Sequence, residues 1–348
     1  MLHLRVITPP ELTESVLDLY RHSRGIANVV VHRGAAIDPQ GDVVTTDVAR
    51  DAADALINGL RARGIDQDGA ITMEVLDTVL STAAYRAEDE IDGDGEDAVV
   101  WDELVLRTRE QSGLGLSYMA FLCIACLLAA VGVLTDSAIT VVGAMVVGPE
   151  FGPLAALAVA VVRRKGYLAR RATLALLVGF PIAMIITALA TLGFEALGWV
   201  ELRSIHQLQN VDFIFQVGPF SFVVALLAGA AGMLSLVTSK SAALVGVFIS
   251  VTTVPAAGMA VVAATTGDWD VALASAGQLA VNMIGIVIAA VLVLAALGGR
   301  GMMEDWQLAQ DLGLPLDSLE KILVALEEEG QVRLMAMGDG QRMVVLID

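Results

Sequence analysis

The chain has 348 residues, 56% of them apolar and only 17% charged, with a mean hydropathy of +0.71 and a formal net charge of −18. That balance excludes an ordinary water-soluble globule of this length, and the acidity argues against nucleic acid as a partner. The charge is zoned: residues 1–111 carry a net −12, residues 112–299 a net of zero and residues 300–348 a net −6. The expectation is a polytopic α-helical membrane protein, embedded in a lipid bilayer, with a water-soluble domain at each end. No charged segment followed by a short apolar stretch opens the chain, so no cleaved signal peptide is expected.

Residues 1–85 alternate between strand-like and helix-like patterns. Leu2–Ile7 predicts a strand and Pro10–His22 a helix with Val16, Leu19 and Tyr20 on one face. Ile26–Arg33 and Asp42–Thr46 predict two strands joined by a turn containing Pro39 and Gly41. Ala49–Arg63 predicts a second helix and Ile71–Leu76 a fourth strand. The order βαββαβ predicts a ferredoxin-like sandwich. His3, His22 and His32 form no ligand spacing. A linker, residues 86–111, follows. Seven of its residues between Glu88 and Asp97 are acidic, but neither register of an EF-hand loop is complete: one puts Trp101 at position twelve, the other puts Asp97 where glycine belongs. Ala98–Glu110 predicts an amphipathic helix with Trp101, Leu104, Val105 and Thr108 on one side.

Residues 112–299 divide into six apolar segments of bilayer length, about 20 residues each: Leu116–Leu134, Ile139–Val162, Ala172–Leu197, Phe220–Thr238, Ala242–Thr265 and Val271–Leu297. One set of flanks and loops holds Arg107, Arg109, Arg163, Arg164, Lys165, Arg170, Arg171, Lys240 and Arg300, and the other only Arg203. This asymmetry predicts both termini on the cytoplasmic side of a prokaryotic plasma membrane. Ser117–Ala138 aligns with Ser221–Ala242 at a shift of 104, and Pro153 then matches Pro255 after a two-residue slip. Each half holds three spans, an odd number, so the second copy enters from the opposite side. The halves predict a 3+3 inverted repeat. Cys123 and Cys126 lie within the first span and predict buried thiols, since two sulfurs cannot complete a structural zinc site.

Spans two and five are interrupted. Span two holds Gly148-Pro149-Glu150-Phe151-Gly152-Pro153, and span five holds Ser250-Val251-Thr252-Thr253-Val254-Pro255. Proline removes a backbone donor and clashes with the preceding turn, so two Gly-Pro pairs within six residues predict unwinding. Segments restarting at Pro153 and Pro255 would then point helix N-termini at one central place. Glu150, between the two pairs, is the one acid deep in a span, and an intramembrane carboxylate is costly enough to be a functional candidate by default. A protonated structural glutamate is the alternative. Ser250, Thr252, Thr253 and Asn282 are its expected polar company, with Gly148, Pro149, Gly152, Pro153 and Pro255 shaping the break. A central carboxylate points to a cation or proton, while converging helix N-termini point to an anion.

Gly143-Ala144-Met145, the two Gly-Pro pairs, Val254-Pro255 with Gly258, and Asn282 together resemble the bacterial and archaeal "domain of unknown function 389" family of membrane proteins, over about residues 115–298. Members commonly carry serine before the first proline and an apolar residue after it, where this chain has Gly148 and Glu150. The resemblance implies a fold and no activity.

Residues 300–348 predict a small winged-helix-like domain. Its helices are Glu304–Leu312 and Pro315–Glu329, and its hairpin is Gln331–Met337 with Gln341–Ile347. The second helix is too acidic for DNA, so a contact within a homo-oligomer is expected instead. No catalytic Ser/His/Asp set, Walker motif or dinucleotide fingerprint occurs, so neither an enzyme nor a bound cofactor is expected. The expected function is a transporter or channel for an ion or small solute. A membrane-anchored sensor or scaffold is the alternative.

Overall fold

The computed structural model describes residues 1–76, 78–91, 99–199, 219–238, 252–298, 332–336 and 342–346. Its contacts group Met1–Leu294 as one unit and Ala295–Asp348 as a second.

The first unit opens with β1 (Leu2–Thr8), α1 (Thr13–His22), β2 (Ile26–Ile37), β3 (Gln40–Val48), α2 (Arg50–Arg61), a short α3 (Ile65–Asp68), β4 (Ala70–Val75) and α4 (Thr82–Asp89). The strands form one antiparallel sheet in the order β2-β3-β1-β4. Alternation in β1 turns Leu2, Leu4 and Val6 to one face, where they meet Val16 of α1 and Leu56 and Leu60 of α2. The β2–β3 hairpin is longer than the sequence pattern predicts and turns at Asp38-Pro39. Gly41 therefore lies inside β3, where a Cβ would sit 2.3 Å from the Thr8 carbonyl oxygen. Helix α4 is an addition to the predicted elements. Ser81 caps it by accepting a hydrogen bond from the Ala84 N–H, and its Ala84 and Ala87 pack with Ala27.

Helix α5 (Trp101–Gln111) joins this sheet to the apolar helices. Val100, just before it, is part of the sheet's core. The Trp101 N–H donates to Asp54 at 3.2 and 3.3 Å. Arg61 grips Asp102 with two bonds of 2.8 and 3.0 Å, and Arg50 reaches Glu103 at 3.1 Å. Burial pushes the Asp54 carboxyl up to about 6, partly offset by the Trp101 N–H.

The apolar helices are α6 (Leu116–Leu134), α7 (Ala138–Val147), α8 (Phe151–Val162), α9 (Gly166–Ala196), α10 (Pro219–Val237), α11 (Thr253–Thr266) and α12 (Trp269–Gly298). Four of them (α6, α9, α10 and α12) are long and apolar enough to cross a membrane. The pair α7 and α8, bent by 49° at their break, makes a fifth if it is one span. Helix α11 is too short by itself, and residues 242–251 of the predicted fifth span lie outside the described residues. The long helices leave Leu177, Ile185, Leu189, Leu227 and Leu292 exposed, as surfaces facing lipid tails do.

Helices α8 and α11 are different. They are apolar all round and almost wholly buried, which is how a helix without a polar face must sit. Helix α8 runs back along α5. A Cβ on Gly152 would lie 2.8 Å from the Gln111 carbonyl oxygen, and the Arg163 guanidinium sits 5.0 Å over the Trp101 ring. Helix α11 runs along α6. Its Met259, Val262 and Ala263 share a cluster with Ala130 and Val133. Gly258 lets the two backbones approach, because a Cβ there would lie 2.6 Å from the Ala129 Cβ and 3.0 Å from its main chain.

In the second unit, β5 (Val332–Ala336) and β6 (Arg342–Leu346) pair antiparallel with Val332 opposite Leu346. The predicted helices Glu304–Leu312 and Pro315–Glu329 lie outside the described residues.

Two measurements check this packing. Gly258→Val should destabilise the purified protein by about 1–3 kcal/mol through overpacking. Gly277→Ala, where a Cβ meets nothing within 4 Å, should not. Because the fold raises the Asp54 carboxyl from 3.8 to about 6, protonation favours the folded state. That stabilisation is full below about pH 4 and is lost as pH rises through about 6. Thermal melts at pH 5 and 7 should therefore show the wild type losing about 1 kcal/mol more than Asp54→Asn. Equal losses would remove Asp54 from the junction's pH response.

Candidate functional site

Helices α8 and α11 both start inside the protein. Glu150 occupies the N-cap of α8 and Thr252 the N-cap of α11, and neither side chain caps its own helix. Pro153 and Pro255 were expected to be the restart points, but each is the third residue of its helix. The reason is physical. The first turn of a helix has no intrahelical acceptor for its N–H groups, so a proline there costs nothing in hydrogen bonds and the helix can begin ahead of it.

The two starts touch. The Thr253 hydroxyl donates to Oε1 of Glu150. Next to it, the Thr252 hydroxyl oxygen accepts from Nε2 of Gln278 at 3.3 Å and from Nδ2 of Asn282 at 3.1 Å. Ser275, Gln278 and Asn282 recur at helical spacing, which puts them on one face of α12. All are deeply buried: Ser275 is 0% exposed, Gln278 1%, Asn282 2%, Thr253 1% and Glu150 8%.

The amides are held at their nitrogen ends only. Oε1 of Gln278, Oδ1 of Asn282, Oγ of Ser275 and Oε2 of Glu150 are buried without a hydrogen-bond partner among the described residues. Such atoms are rare in folded proteins, and three of these four belong to side chains linked to the two helix starts through Thr253 and Thr252. Gly148 keeps room for the carboxylate, since a Cβ there would lie 2.3 Å from Oε2 of Glu150 and 2.8 Å from Val254.

Of the residues singled out in the sequence, the structure brings Glu150 and Thr253 into direct contact and links Thr252 to Asn282. Gly148 borders the carboxylate. Pro149 lies in the break, while Pro153 and Pro255 are buried in the first turns. Gly152 faces elsewhere, against the main chain of Gln111, where it permits the close approach of α8 to α5. Ser250 lies outside the described residues. Gln278 and Ser275 were missed. Their signal was a polar face, i, i+3 and i+7 with Asn282, along an otherwise apolar span. Cys123 and Cys126 are free thiols, and no group of three or more His, Cys, Asp or Glu gathers among the described residues.

Comparison with known proteins adds a family and no activity. Residues 145–288 match the family described as "Domain of unknown function (DUF389)". An uncharacterized protein of Methanocaldococcus jannaschii is 24% identical over 211 residues, covering 61% of this chain and 63% of that protein. The chain thus spans less than two thirds of that relative's length. No solved structure matches. Every residue of the junction, from Gly148 to Asn282, falls within the family match.

Thr253→Val removes the donor to Glu150 while keeping the side-chain shape, and should cost about 1–3 kcal/mol by leaving a second buried carboxylate oxygen unpartnered. Denaturant unfolding of the detergent-purified protein measures it. Thr253→Ser should recover most of the loss, and a neutral Thr253→Val would mean that the contact does not hold the junction.

Proposed function

Because the membrane region of this chain belongs to the Domain of unknown function (DUF389) family, whose description carries no activity, we propose a function from the junction itself. The protein is a membrane transporter or channel for an ion or small solute, which passes or binds at the meeting point of the two interrupted helices. One observation carries this reading: a buried carboxylate and three further buried side chains present oxygens unpartnered among the described residues inside an apolar helix bundle. Irregular backbone at membrane depth is tolerated where it lines a site, and intramembrane ionisable groups mark ion and proton pathways.

The same reading takes residues 112–299 as six spans in two inverted halves, with α7 and α8 as one broken span and α11 as the second part of another. Several correspondences support it. Helices α6, α8 and α9 have 19, 12 and 31 residues, and α10, α11 and α12 have 19, 14 and 30. The prolines Pro153 and Pro255 hold the same place in α8 and α11. Gly179 of α9 packs against Tyr118 of α6, and Gly285 of α12 packs against Phe222 of α10, which is residue 118 shifted by 104. Broken helices meeting at a repeat interface are a recurrent design of secondary transporters. In this reading the sheet domain is a ferredoxin-like sandwich, the last residues form a winged-helix-like domain, both termini are cytoplasmic and the chain assembles as a homo-oligomer.

Reconstitution tests the function. Protein in liposomes, under imposed Na⁺, K⁺, Cl⁻ and proton gradients, should support a flux that Glu150→Gln abolishes. A flux unchanged in the variant removes Glu150 from the mechanism. Folded protein that passes nothing under any gradient favours a membrane-anchored sensor or scaffold.

A further inference from the structure

We propose that the junction binds one monovalent alkali cation, held by Oε2 of Glu150, Oε1 of Gln278 and Oδ1 of Asn282. The inference rests on the reading of the junction as the site of transport and names the class of its occupant.

The atoms decide between the classes of ligand. All four unpartnered groups are oxygens, and three of them belong to a carboxylate or to amide carbonyls, which only accept. An anion would meet lone pairs and a negative charge. A hard cation takes oxygen ligands of this kind, neutral carbonyls included. In the structure both amide nitrogens point at the Thr252 hydroxyl, 3.3 and 3.1 Å away, and both carbonyl oxygens are without a partner among the described residues.

Charge decides the valence. Glu150 is the one carboxylate of the set, and Thr253 is the group bonded to it. One carboxylate neutralises one monovalent cation, whereas a divalent ion would leave an uncompensated charge in a buried place. Sites for divalent ions gather several carboxylates, and no such group exists among the described residues. The two helix N-termini then have a clear part. Their partial positive charges lie beside Glu150 and offset its charge when the cation leaves, so the empty site does not hold a bare anion in an apolar bundle. A site that can be emptied without stranding a charge suits a carrier.

The test reads binding, not flux. The full chain in detergent is melted in choline chloride and then with LiCl, NaCl, KCl or CaCl₂ replacing it at constant ionic strength, and equilibrium binding of radioactive Na⁺ gives the stoichiometry. An alkali chloride should raise Tm in a saturable way, with one ion bound per chain. Glu150→Gln should abolish the shift, Gln278→Leu and Asn282→Leu should each weaken the apparent affinity at least tenfold, and the milder Asn282→Ser should weaken it measurably even if the larger changes fail to fold. Gly277→Ala should leave it unchanged. Stabilisation by CaCl₂ alone, by acid alone, or by no cation at all overturns the proposal. If flux persists in those cases, the transport reading stands without it. Saturable alkali binding without flux keeps the site and removes the transport reading.

Discussion

Two helices begin inside the bundle, with their first residues buried, and the fold is arranged around that fact. A helix start leaves N–H groups without acceptors and a partial positive charge, and a buried carboxylate is the inverse problem. Placing Glu150 at the head of α8 and against Thr253 at the head of α11 lets each difficulty answer the other. The small residues of α8 and α11 follow from it, because helices that start at the centre must be packed on every side. Ala155, Ala156, Ala257, Gly258 and Ala260 allow their neighbours to close in.

The second organising element is α5. Its first turn is bound to α2 through Asp54, Arg61 and Asp102, and its Gln111 end lies against Gly152, two residues from Glu150. Midway, Arg107 donates to the Leu236 carbonyl at the end of α10, where a positive charge complements the helix terminus. A charged amphipathic helix thus covers α8, so part of the wall around an apolar, buried segment is supplied from outside the apolar zone. Composition divides the protein at residue 112, whereas its contacts keep Met1–Leu294 together.

Much of this was written in local pattern. The Gly-Pro pairs announced the break between α7 and α8, and apolar alternation announced β1 and its partners, because both are properties of a few adjacent residues. Glu150, Thr252, Thr253 and Asn282 stood out as polar groups in an apolar field. What was hidden depends on distant partners. Gln278 gains meaning only from a hydroxyl 26 residues away, and Ser275 only from sharing its face. The amphipathic pattern of α5 says that one side is covered, but not that α8 covers it. Helix α4 was obscured by the acidic run that follows it. The restart points were misjudged by two residues because proline breaks the turn before it and is harmless in the turn it begins.

Gly148 and Glu150, which flank Pro149, are coupled by space. A side chain at 148 and a carboxylate at 150 claim the same few cubic ångströms, since a Cβ on Gly148 would fall 2.3 Å from the Glu150 oxygen. A glycine at 148 is therefore the condition for the acid at 150, because a side chain there would push the carboxylate from the place where it meets Thr253.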